Sequence, residues 1–384
     1  MRVFVTGGGP GGHLYPALAI ARALVKAEPH IEPFFIGARR GIERDVLPAT
    51  EFRHELLDLH PLYRSRPWEN WRTVRGLLSA WGRIASLARE DRPRFVIGTG
   101  GYAAGATMMF AARRDIPLFI QEQNSFPGRT VRAFSRYARE IYLGFPEGGA
   151  LLPGRARARA VFTGNPIAPP PTPLPPKAPA RAAWGLTDTG NVVLVFGGSQ
   201  GSAALNAVID AWVARGLPDG LQMIWATGKA HFERHASRES PRVRVRAYLS
   251  PIADAYAASD LAITRAGAMT TAELAAWQIP PILVPLPTAA ADHQTVNAKA
   301  LAAAGAARWI RQDELTVDRL DALVRELVST PDALRSIARA ELERARPDAA
   351  HDIARRILDA VDLNQPFKGP EILNVGQGSR SLTP

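Results

Sequence analysis

The sequence of 384 residues contains no cysteine. This absence excludes disulfide bonds, thiol nucleophiles and thiolate metal sites, and it agrees with a reducing compartment. No apolar run reaches the ~18 residues that a membrane-spanning helix needs. The chain opens directly on an apolar strand, so we expect no signal peptide. The eight histidines are scattered without the spacing of metal ligands, so we predict no metal site.

Acidic residues are also scarce relative to basic ones: Asp and Glu number 36 against 47 Lys and Arg, a net charge of +11. Such an excess favours anionic partners, which include phosphorylated metabolites, acidic membranes and nucleic acid. The arginines are spread along the chain and no RNP, KH or zinc-finger signature is present, so we predict no nucleic-acid partner. A solvated arginine-rich surface remains an alternative explanation for part of the excess.

Short apolar runs alternate with helical patterns, which predicts an α/β fold with doubly wound parallel sheets. The expected strands are 2–6, 33–36, 95–97, 118–121, 140–142, 192–196, 222–226, 243–247, 261–264, 282–284 and 307–310. The expected helices are 13–25, 71–89, 103–113, 128–138, one from about 202, 270–277, 295–304, 317–328 and one stretch over 331–363.

Eight of the fifteen residues in 165–179 are prolines. Because proline fixes φ and lacks an N–H donor, this segment predicts a stiff extended connector. We therefore expect an N-terminal Rossmann-like domain over 1–164, a linker over 165–180 and a C-terminal Rossmann-like domain over 181–340, with a cleft between them. A helical segment over 341–363 is expected to pack back toward the N-terminal domain, and 364–384 to form a mobile tail.

Two glycine-rich turns follow the first strand of each expected domain, at Gly7–Gly12 and Gly197–Gly201. A bare backbone followed by a helix N-terminus makes a cradle for anions, since free N–H groups can approach phosphate oxygens. A phosphorylated ligand is therefore expected in the cleft. The first turn also fits the dinucleotide pattern G-x-G-x-x-G. The second strand, however, is followed by Arg39 and Arg40 instead of an acid, which leaves an NADP site as an alternative.

His13 stands at the start of the helix after the first glycine turn. It either bonds a neighbouring carbonyl as a structural group or faces whatever the glycines hold. We expect the helix N-terminus to lower its pKa, so that a neutral imidazole accepts a proton.

Further polar or glycine-rich segments follow predicted strands or open helices, at 98–102, 121–124, 265–273 and 292–298. Glu122 and Asn124 are candidates for binding hydroxyls or relaying a proton, and Glu273 for accepting the hydroxyls of a ribose. Structural roles compete with these interpretations, because a carboxylate at a helix start, such as Glu273 or Asp292, is a common charge–dipole pairing or N-cap.

Seven segments in this order resemble the MurG family of bacterial UDP-N-acetylglucosamine:N-acetylmuramyl-(pentapeptide)-pyrophosphoryl-undecaprenol N-acetylglucosaminyltransferases. They are GGPGGHLYPALA (8–19), GTGGYAAG (98–105), EQNSFPG (122–128), GNPI (164–167), FGGSQGSAALN (196–206), RAGAMTTAE (265–273) and the segment 293–306. The resemblance runs to about residue 360. It implies a GT-B architecture and an inverting, metal-independent transfer of GlcNAc from UDP-GlcNAc to the C4 hydroxyl of lipid-linked MurNAc-pentapeptide, without a cofactor. The product would be lipid II of peptidoglycan synthesis.

The resemblance implies donor-binding roles for Pro10, Gly11, Gly12, Asn124, Ser199, Gln200, Leu249, Ala268, Met269, Thr270, Thr271, Ala272, Glu273 and Gln294. Within this set Ser199 matches a serine at the UDP phosphates, Glu273 matches a ribose ligand and the Leu249 backbone matches a uracil contact. His13 and Glu122 both stay open as the catalytic base. The chain departs from the family at Pro10, commonly threonine, and at Ala168, often an arginine, for which Arg265 is a candidate replacement.

A lipid-linked acceptor implies a peripheral enzyme at the cytoplasmic face of the bacterial plasma membrane. Its expected partners are UDP-GlcNAc, the lipid acceptor, anionic lipids and other cell-wall synthesis proteins. An apolar stripe beside arginines over 71–87 is typical of a helix that lies on such a surface, although a core-facing stripe is an equally open interpretation. The candidates for membrane contact are Trp71, Leu77, Leu78, Trp81 and Ile84.

Three other functions stay open. One is a GT-B enzyme that glycosylates a different lipid, such as diacylglycerol. The second is an NADP-dependent oxidoreductase built on the first glycine turn, which leaves the second turn unexplained. The third is a protein that binds a nucleotide sugar without turnover.

Overall fold

A computed structural model describes residues 1–9, 11–61 and 67–361 of the chain. Pro10 and the predicted tail over 364–384 lie outside these residues, as do the last two residues of the predicted helical segment. The described residues form two α/β domains, each built on one sheet in which all strand pairs are parallel. The predicted fold class is thereby confirmed.

The N-terminal sheet has seven strands in the order β3-β2-β1-β4-β5-β6-β7. Its strands are β1 Arg2–Thr6, β2 Glu32–Ala38, β3 Arg53–Leu57, β4 Val96–Gly98, β5 Leu118–Glu122, β6 Ala138–Leu143 and β7 Ala160–Phe162. Its helices are α1 Gly11–Ala27, α2 Glu43–Val46, α3 Asn70–Glu90, α4 Ala104–Arg113, α5 Arg129–Phe134 and α6 Gly154–Arg157.

The C-terminal sheet has six strands in the order β10-β9-β8-β11-β12-β13. Its strands are β8 Asn191–Phe196, β9 Leu221–Ala226, β10 Val243–Arg246, β11 Leu261–Thr264, β12 Pro281–Leu283 and β13 Arg308–Trp309. The remaining helices are α7 Lys177–Ala183, α8 Ala203–Arg215, α9 Phe232–His235, α10 Ala253–Ala258, α11 Ala268–Ala276, α12 His293–Ala303, α13 Val317–Ser329, α14 Pro331–Arg344 and α15 Ala349–Ala360.

Both sheets reverse their strand order at one point, between β1 and β4 and between β8 and β11. Loops at the carboxyl ends of strands on either side of such a point diverge and leave a crevice, which is where open α/β sheets bind ligands. Both glycine turns leave strands at these points, β1 in one domain and β8 in the other. The topology therefore places each turn at its domain's crevice.

The inner strands form because continuous apolar runs are buried on both faces of a parallel sheet. Val3 to Val5 and Val192 to Val195 are fully buried. The edge strands β3 and β7 were not predicted, because both are short and half-exposed and carry no continuous apolar run.

Three predicted segments differ from the structure. The helix predicted over 128–138 ends as α5 at Phe134, and Ala138 already begins β6. Helix α7 begins at Lys177, inside the predicted extended linker, and Pro179 is tolerated there because first-turn N–H groups have no intrahelical partner. The single helix predicted over 331–363 is two helices, α14 and α15, since Pro347 disfavours helical geometry at Arg346.

Helix α15 returns the chain to the N-terminal domain and packs on α1. Its residues Ile353, Ala354 and Ile357 are fully buried in one cluster with Val3 and Leu14. Arg356 pairs with Glu140 of β6 at 3.0 Å. The last described helix therefore completes the first domain's core.

Candidate active site

His13 lies at the crevice of the N-terminal sheet, in the first turn of α1. That helix begins at Gly11, two residues before the predicted start. The neighbouring turn after β4 has positive φ at Gly100 and Gly101, +90° and +78°, and a Cβ on Gly101 would lie 1.9 Å from the Gly8 carbonyl oxygen. Glycine is required there because the two turns touch through their backbones.

The hydrogen bonds of His13 define its tautomer. Nδ1 lies 3.0 Å from the Thr99 carbonyl oxygen and 2.8 Å from Oε1 of Gln123. Both partners are acceptors, with the Gln123 amide oriented by the donation of its Nε2 to Thr99 at 2.8 Å. Nδ1 therefore carries the proton, and Nε2 of the neutral ring is an acceptor. Nε2 makes no hydrogen bond within the described residues.

Burial lowers the pKa of His13 below its ordinary value of 6.5, against the opposing effects of the bonds to Gln123 and Thr99 and of the charge on Glu43. This direction of the pKa shift agrees with the prediction, but its main cause is burial and not the helix N-terminus. A neutral imidazole with a free Nε2 is a proton acceptor at neutral pH.

Glu43 fills the space beneath the first glycine turn, a role that the sequence analysis missed. Its two oxygens accept from the Gly9 N–H, each at 3.1 Å, and Oε1 also accepts from the Ala38 N–H at 3.2 Å. The prediction that the first glycine turn binds phosphate is therefore corrected at Gly9, because the Gly9 N–H already donates to the Glu43 carboxylate. The glycines Gly37 and Gly41 shortly before Glu43 were the sequence feature that could have indicated this buried acid.

Arg39 and Arg40, the residues that left an NADP site open, are both exposed. Arg39 Nε donates to the Leu56 carbonyl at 2.9 Å, and Arg40 lies 3.6 Å from Asp58. With the Gly9 N–H engaged as well, no observation favours a dinucleotide at this turn.

Glu122 is buried at the carboxyl end of β5 and orders the loop that follows. Its Oε1 accepts from the Asn124 N–H at 2.9 Å and from Asn124 Nδ2 at 3.2 Å, and its Oε2 accepts from the Gly128 N–H at 2.7 Å. Burial raises the pKa of Glu122, while these bonds oppose the rise. Both oxygens are engaged with the loop, so the arrangement favours a structural role.

Asn297 connects the two domains through side-chain hydrogen bonds. From α12 its Oδ1 accepts from the N–H and hydroxyl of Ser125 at 2.9 and 2.8 Å, and its Nδ2 donates to Asn124 Oδ1 and the Ala266 carbonyl, both at 3.2 Å. Asn297 is fully buried. It places Asn124 beside the loop that precedes α11.

The second glycine turn is open at its tip. Ser199 and Gln200 are exposed, while Ser202 caps α8 by accepting from the Leu205 N–H at 3.3 Å. Gly201 has φ +75°, and a Cβ there would lie 2.2 Å from the Thr227 carbonyl oxygen. The turn therefore presents a helix N-terminus with the exposed Ser199 side chain beside it.

Arg265, the candidate to replace the cation missing at Ala168, is engaged within the C-terminal domain. Its Nη1 donates to the carbonyls of Val284 and Pro285, and its Nη2 to Ser202 Oγ at 2.6 Å and Gln312 Oε1 at 2.7 Å. Both terminal nitrogens thus hold the loop after β11 against the cap of α8.

The first turns of α11 form one wall of the C-terminal crevice. Ala268 and Thr271 are buried, and Met269, Thr270 and Ala272 are half-buried. Half-buried Glu273 accepts from the Tyr256 hydroxyl through Oε2 at 2.8 Å, and burial raises its pKa.

The other two donor candidates lie on different loops. Leu249 is buried in one core cluster with Tyr256. Gln294, in the first turn of α12, accepts the Leu286 N–H through Oε1 at 3.0 Å, which fixes its amide. Gly11 and Gly12 lie in the first turn of α1, and a Cβ on Gly12 would meet nothing within 4 Å. Pro10 lies outside the described residues.

The predicted membrane stripe divides along α3. Trp71 and Leu78 are 56% and 72% exposed, and Trp68 just before the helix is 72% exposed. Leu77 and Trp81 are partly buried against the N-terminal core. Ile84 is fully buried, so its assignment as a membrane contact is wrong: it faces the sheet.

Residues 1–9, 11–61 and 67–361 contain no group of three or more His, Cys, Asp or Glu side chains arranged to hold a metal ion. In that same part of the chain, every helix is too short or too polar to cross a membrane.

Two family models match the chain, one per domain. Residues 3–143 match the glycosyltransferase family 28 N-terminal domain, and residues 192–353 match the C-terminal domain of the same family.

Curated relatives match along almost the whole chain. The UDP-N-acetylglucosamine--N-acetylmuramyl-(pentapeptide) pyrophosphoryl-undecaprenol N-acetylglucosamine transferase of Salinibacter ruber is 38% identical, with 94% of this chain and 97% of that protein covered. The protein of the same name from Symbiobacterium thermophilum is 38% identical, with 93% and 96% covered.

Solved structures show the same architecture. The crystal structure of Acinetobacter baumannii MurG superposes with a TM-score of 0.74 at 27% identity, covering 93% of this chain and 99% of that one. The Staphylococcus aureus MnaA–UDP structure, at 15% identity and a TM-score of 0.64, shares the fold.

Proposed function

The chain belongs to glycosyltransferase family 28, and we propose that it transfers GlcNAc from UDP-GlcNAc to the C4 hydroxyl of undecaprenyl-pyrophosphoryl-MurNAc-pentapeptide, which gives lipid II. Relatives of that activity match over more than nine-tenths of the chain. His13 carries the proposal within the site: its protonated Nδ1 is held by Thr99 and Gln123, and its Nε2 is left to accept a proton.

The donor is held mainly by the C-terminal domain. The N–H groups at the start of α8 and the Ser199 hydroxyl bind the diphosphate, where the helix end favours negative charge. Glu273 accepts the ribose hydroxyls through Oε1, since Oε2 accepts from Tyr256. The Leu249 backbone meets the uracil beside the first turns of α11. Gln294 and Asn124, each fixed by a hydrogen bond, bind the sugar hydroxyls.

The chemical step is a single displacement at the anomeric carbon. The acceptor O4 forms a bond to C1 of GlcNAc as the bond from C1 to the β-phosphate oxygen breaks, and the configuration inverts from α to β. The O4 proton passes to Nε2 of His13, and the imidazolium later releases it to water. UDP leaves with its negative charge stabilised by the α8 N-terminus and Ser199, without a metal ion or cofactor.

Glu122, the rival base, has the role of holding the 123–128 loop. Its two oxygens already accept three hydrogen bonds from that loop. A proton transfer to Glu122 would require these bonds to break, whereas Nε2 of His13 needs no such rearrangement.

The enzyme works as a peripheral protein on the cytoplasmic face of the plasma membrane. Trp68, Trp71, Val74 and Leu78 form an exposed apolar patch over the start of α3, and all four are more than half exposed. Arg72 and Arg75 on the same helix add the positive charge that anionic lipids attract. Both features support our proposal that the enzyme meets its lipid-linked acceptor at the membrane surface. We propose other cell-wall synthesis proteins as further partners.

The test is incubation with radiolabelled UDP-GlcNAc and a lipid-linked MurNAc-pentapeptide analogue, with and without EDTA. We expect labelled lipid disaccharide in equal amounts in both reactions. Diacylglycerol as the acceptor and NADPH as a reductant serve as parallel reactions. Product on diacylglycerol alone, oxidation of NADPH, or binding of UDP-GlcNAc without turnover would each replace the proposal with the corresponding alternative.

A further inference from the structure

Glu43 is a fully buried carboxylate for which the proposed chemistry has no role yet. Only glycines leave room for it: a Cβ on Gly8 or Gly41 would lie 1.8 Å from one of its oxygens, and a Cβ on Gly37 would lie 3.1 Å from its side chain. Burial of an ionised carboxylate is costly unless hydrogen bonds compensate for the lost hydration. The N–H groups of Gly9 and Ala38 donate these compensating hydrogen bonds to Glu43.

The glycine turn that Glu43 holds also borders His13. Gly8, next to the bonded Gly9, has its carbonyl oxygen against Gly101, and a Cβ on Gly101 would lie 3.1 Å from Cδ2 of His13. The carboxylate and the imidazole therefore lie on either side of two touching glycine turns. The charge of Glu43 acts on the ring across this backbone layer, and Coulomb interactions between partly buried groups are screened less than in bulk water.

The hydrogen-bond partners of His13 are both neutral, a carbonyl and an amide. When Nε2 takes the acceptor proton, the resulting imidazolium has no carboxylate bonded to Nδ1. A negative charge farther away can therefore add to its stabilisation.

We propose that Glu43 is a positioning residue that holds the first glycine turn in place and supplies the negative charge that stabilises the His13 imidazolium. The inference rests on the proposed role of His13 as the base. It predicts that an uncharged side chain at position 43 weakens the base, and that the shorter carboxylate of aspartate largely preserves it.

Other charged groups near His13 are placed differently. The segment after β2 and α2, the loop after β5 and α5 also carry Arg39, Arg40, Arg44, Asp45, Glu122, Arg129 and Arg132. Glu122 is bonded to its own loop, and the five arginines and Asp45 are exposed to solvent, which screens their charges. The charge of Glu43 raises the pKa of His13.

The test is an NMR titration of the histidine ring signals in the full-length protein, with His13 assigned from the spectrum of His13→Gln. We expect Glu43→Gln to lower the pKa of His13 by about one unit and Glu43→Asp to change it by less than about 0.3 unit. The matched control is Glu51→Gln, which removes an exposed carboxylate. Glu51 pairs with Arg22, a residue of the helix α1 that also carries His13, and its replacement should leave the pKa of His13 unchanged.

Activity provides the second readout. In Glu43→Gln the acid limb of the kcat/KM profile should move to lower pH by the same amount, and kcat at the plateau should fall roughly three- to tenfold because the base is weaker. The KM for UDP-GlcNAc should stay near that of the wild type. Should Glu43→Gln fail to fold, Glu43→Ala is the second neutral variant, since water can fill the glycine-lined space and accept from Gly9 and Ala38.

A His13 pKa that is the same in the folded neutral variants as in the wild type would overturn the inference. The titration does not depend on turnover. If His13→Ala retained full turnover, the role of His13 as the base would fail while the coupling to Glu43 would still be measured.

Discussion

The side-chain amide of Asn297 donates to Asn124 Oδ1 at 3.2 Å and thereby connects a helix of the C-terminal domain to the loop after β5. Its Oδ1 meanwhile accepts the N–H and hydroxyl of Ser125. The replacement Asn297→Ala would leave these groups buried without a partner. An unsatisfied buried donor costs about 1–3 kcal/mol, so we expect a loss of about 3 kcal/mol in the free energy of unfolding.

Urea denaturation followed by circular dichroism measures this loss. Lys299→Ala, an exposed position on the same helix, is the control and should stay within about 0.5 kcal/mol of the wild type. Equal midpoints for Asn297→Ala and the wild type would show that Asn297 does not hold the two domains together.

Turnover should depend on His13 far more than binding does. Removal of a general base costs about 10²- to 10⁴-fold in rate, so His13→Ala should lose that much kcat while its Kd for UDP-GlcNAc stays within about twofold. Steady-state rates and calorimetry on the same preparation separate the two effects. The matched variant is His30→Ala, at an exposed histidine beyond the other end of α1, which should behave as the wild type.

The pH dependence follows from the direction of the His13 pKa shift. The base acts only when neutral, and burial lowers the pKa of His13 below 6.5. Activity should therefore persist as the pH falls through 6.5 and decline only at the lower pKa. The measurement is kcat/KM between pH 5 and 8. An acid limb centred above 6.5 would contradict the role of His13 as the base.

Glu273 should affect donor affinity without a comparable effect on the rate at saturation. Glu273→Ala removes the proposed ribose acceptor, and a hydrogen bond to a charged group is worth about 1.5–3 kcal/mol, so UDP should bind roughly 10- to 100-fold more weakly. Isothermal titration with UDP checks this, and Glu233→Ala, exposed in the same domain, is the control. Wild-type affinity in Glu273→Ala would remove the assignment.

Membrane association should depend on the exposed end of α3. Replacing Leu78, 72% exposed, with glutamate should reduce binding to vesicles that contain anionic lipid by about tenfold or more, because it removes apolar area and adds like charge. Turnover on a water-soluble acceptor analogue should not change. Leu342→Glu, at a site 51% exposed on the other domain, is the matched control. Equal sedimentation of the two variants with vesicles would exclude α3 as the contact.

The sequence was most informative where local pattern decides structure. Buried parallel strands such as Val192 to Val195 are continuous apolar runs, and the glycine turns stand out because few other residues adopt their geometry. Edge strand β3 was missed because its first three residues are polar and only Leu57 is buried. The turn at Pro347 was missed because the apolar periodicity resumes on its other side, in α15.

Site residues that act across long sequence separations were not predicted in the same way. Asn297 stands 172 positions after Ser125, and Glu43 stands 34 positions after Gly9, so neither pairing appears in a local pattern. The sequence also does not show which residues of an apolar stripe are exposed. Ile84 and Leu78 belong to one such stripe, and only the packing of α3 on the sheet makes Ile84 buried and Leu78 exposed.

The chain passes between the two domains twice, once along the proline-rich segment and once between α14 and α15. Two covalent connections restrict the movement of one domain relative to the other, and rotation about the line that joins the connections strains them least. Twisting or sliding of the domains would strain one connection or the other. A hinge rotation about that line is therefore the relative movement of the two domains that the connections resist least.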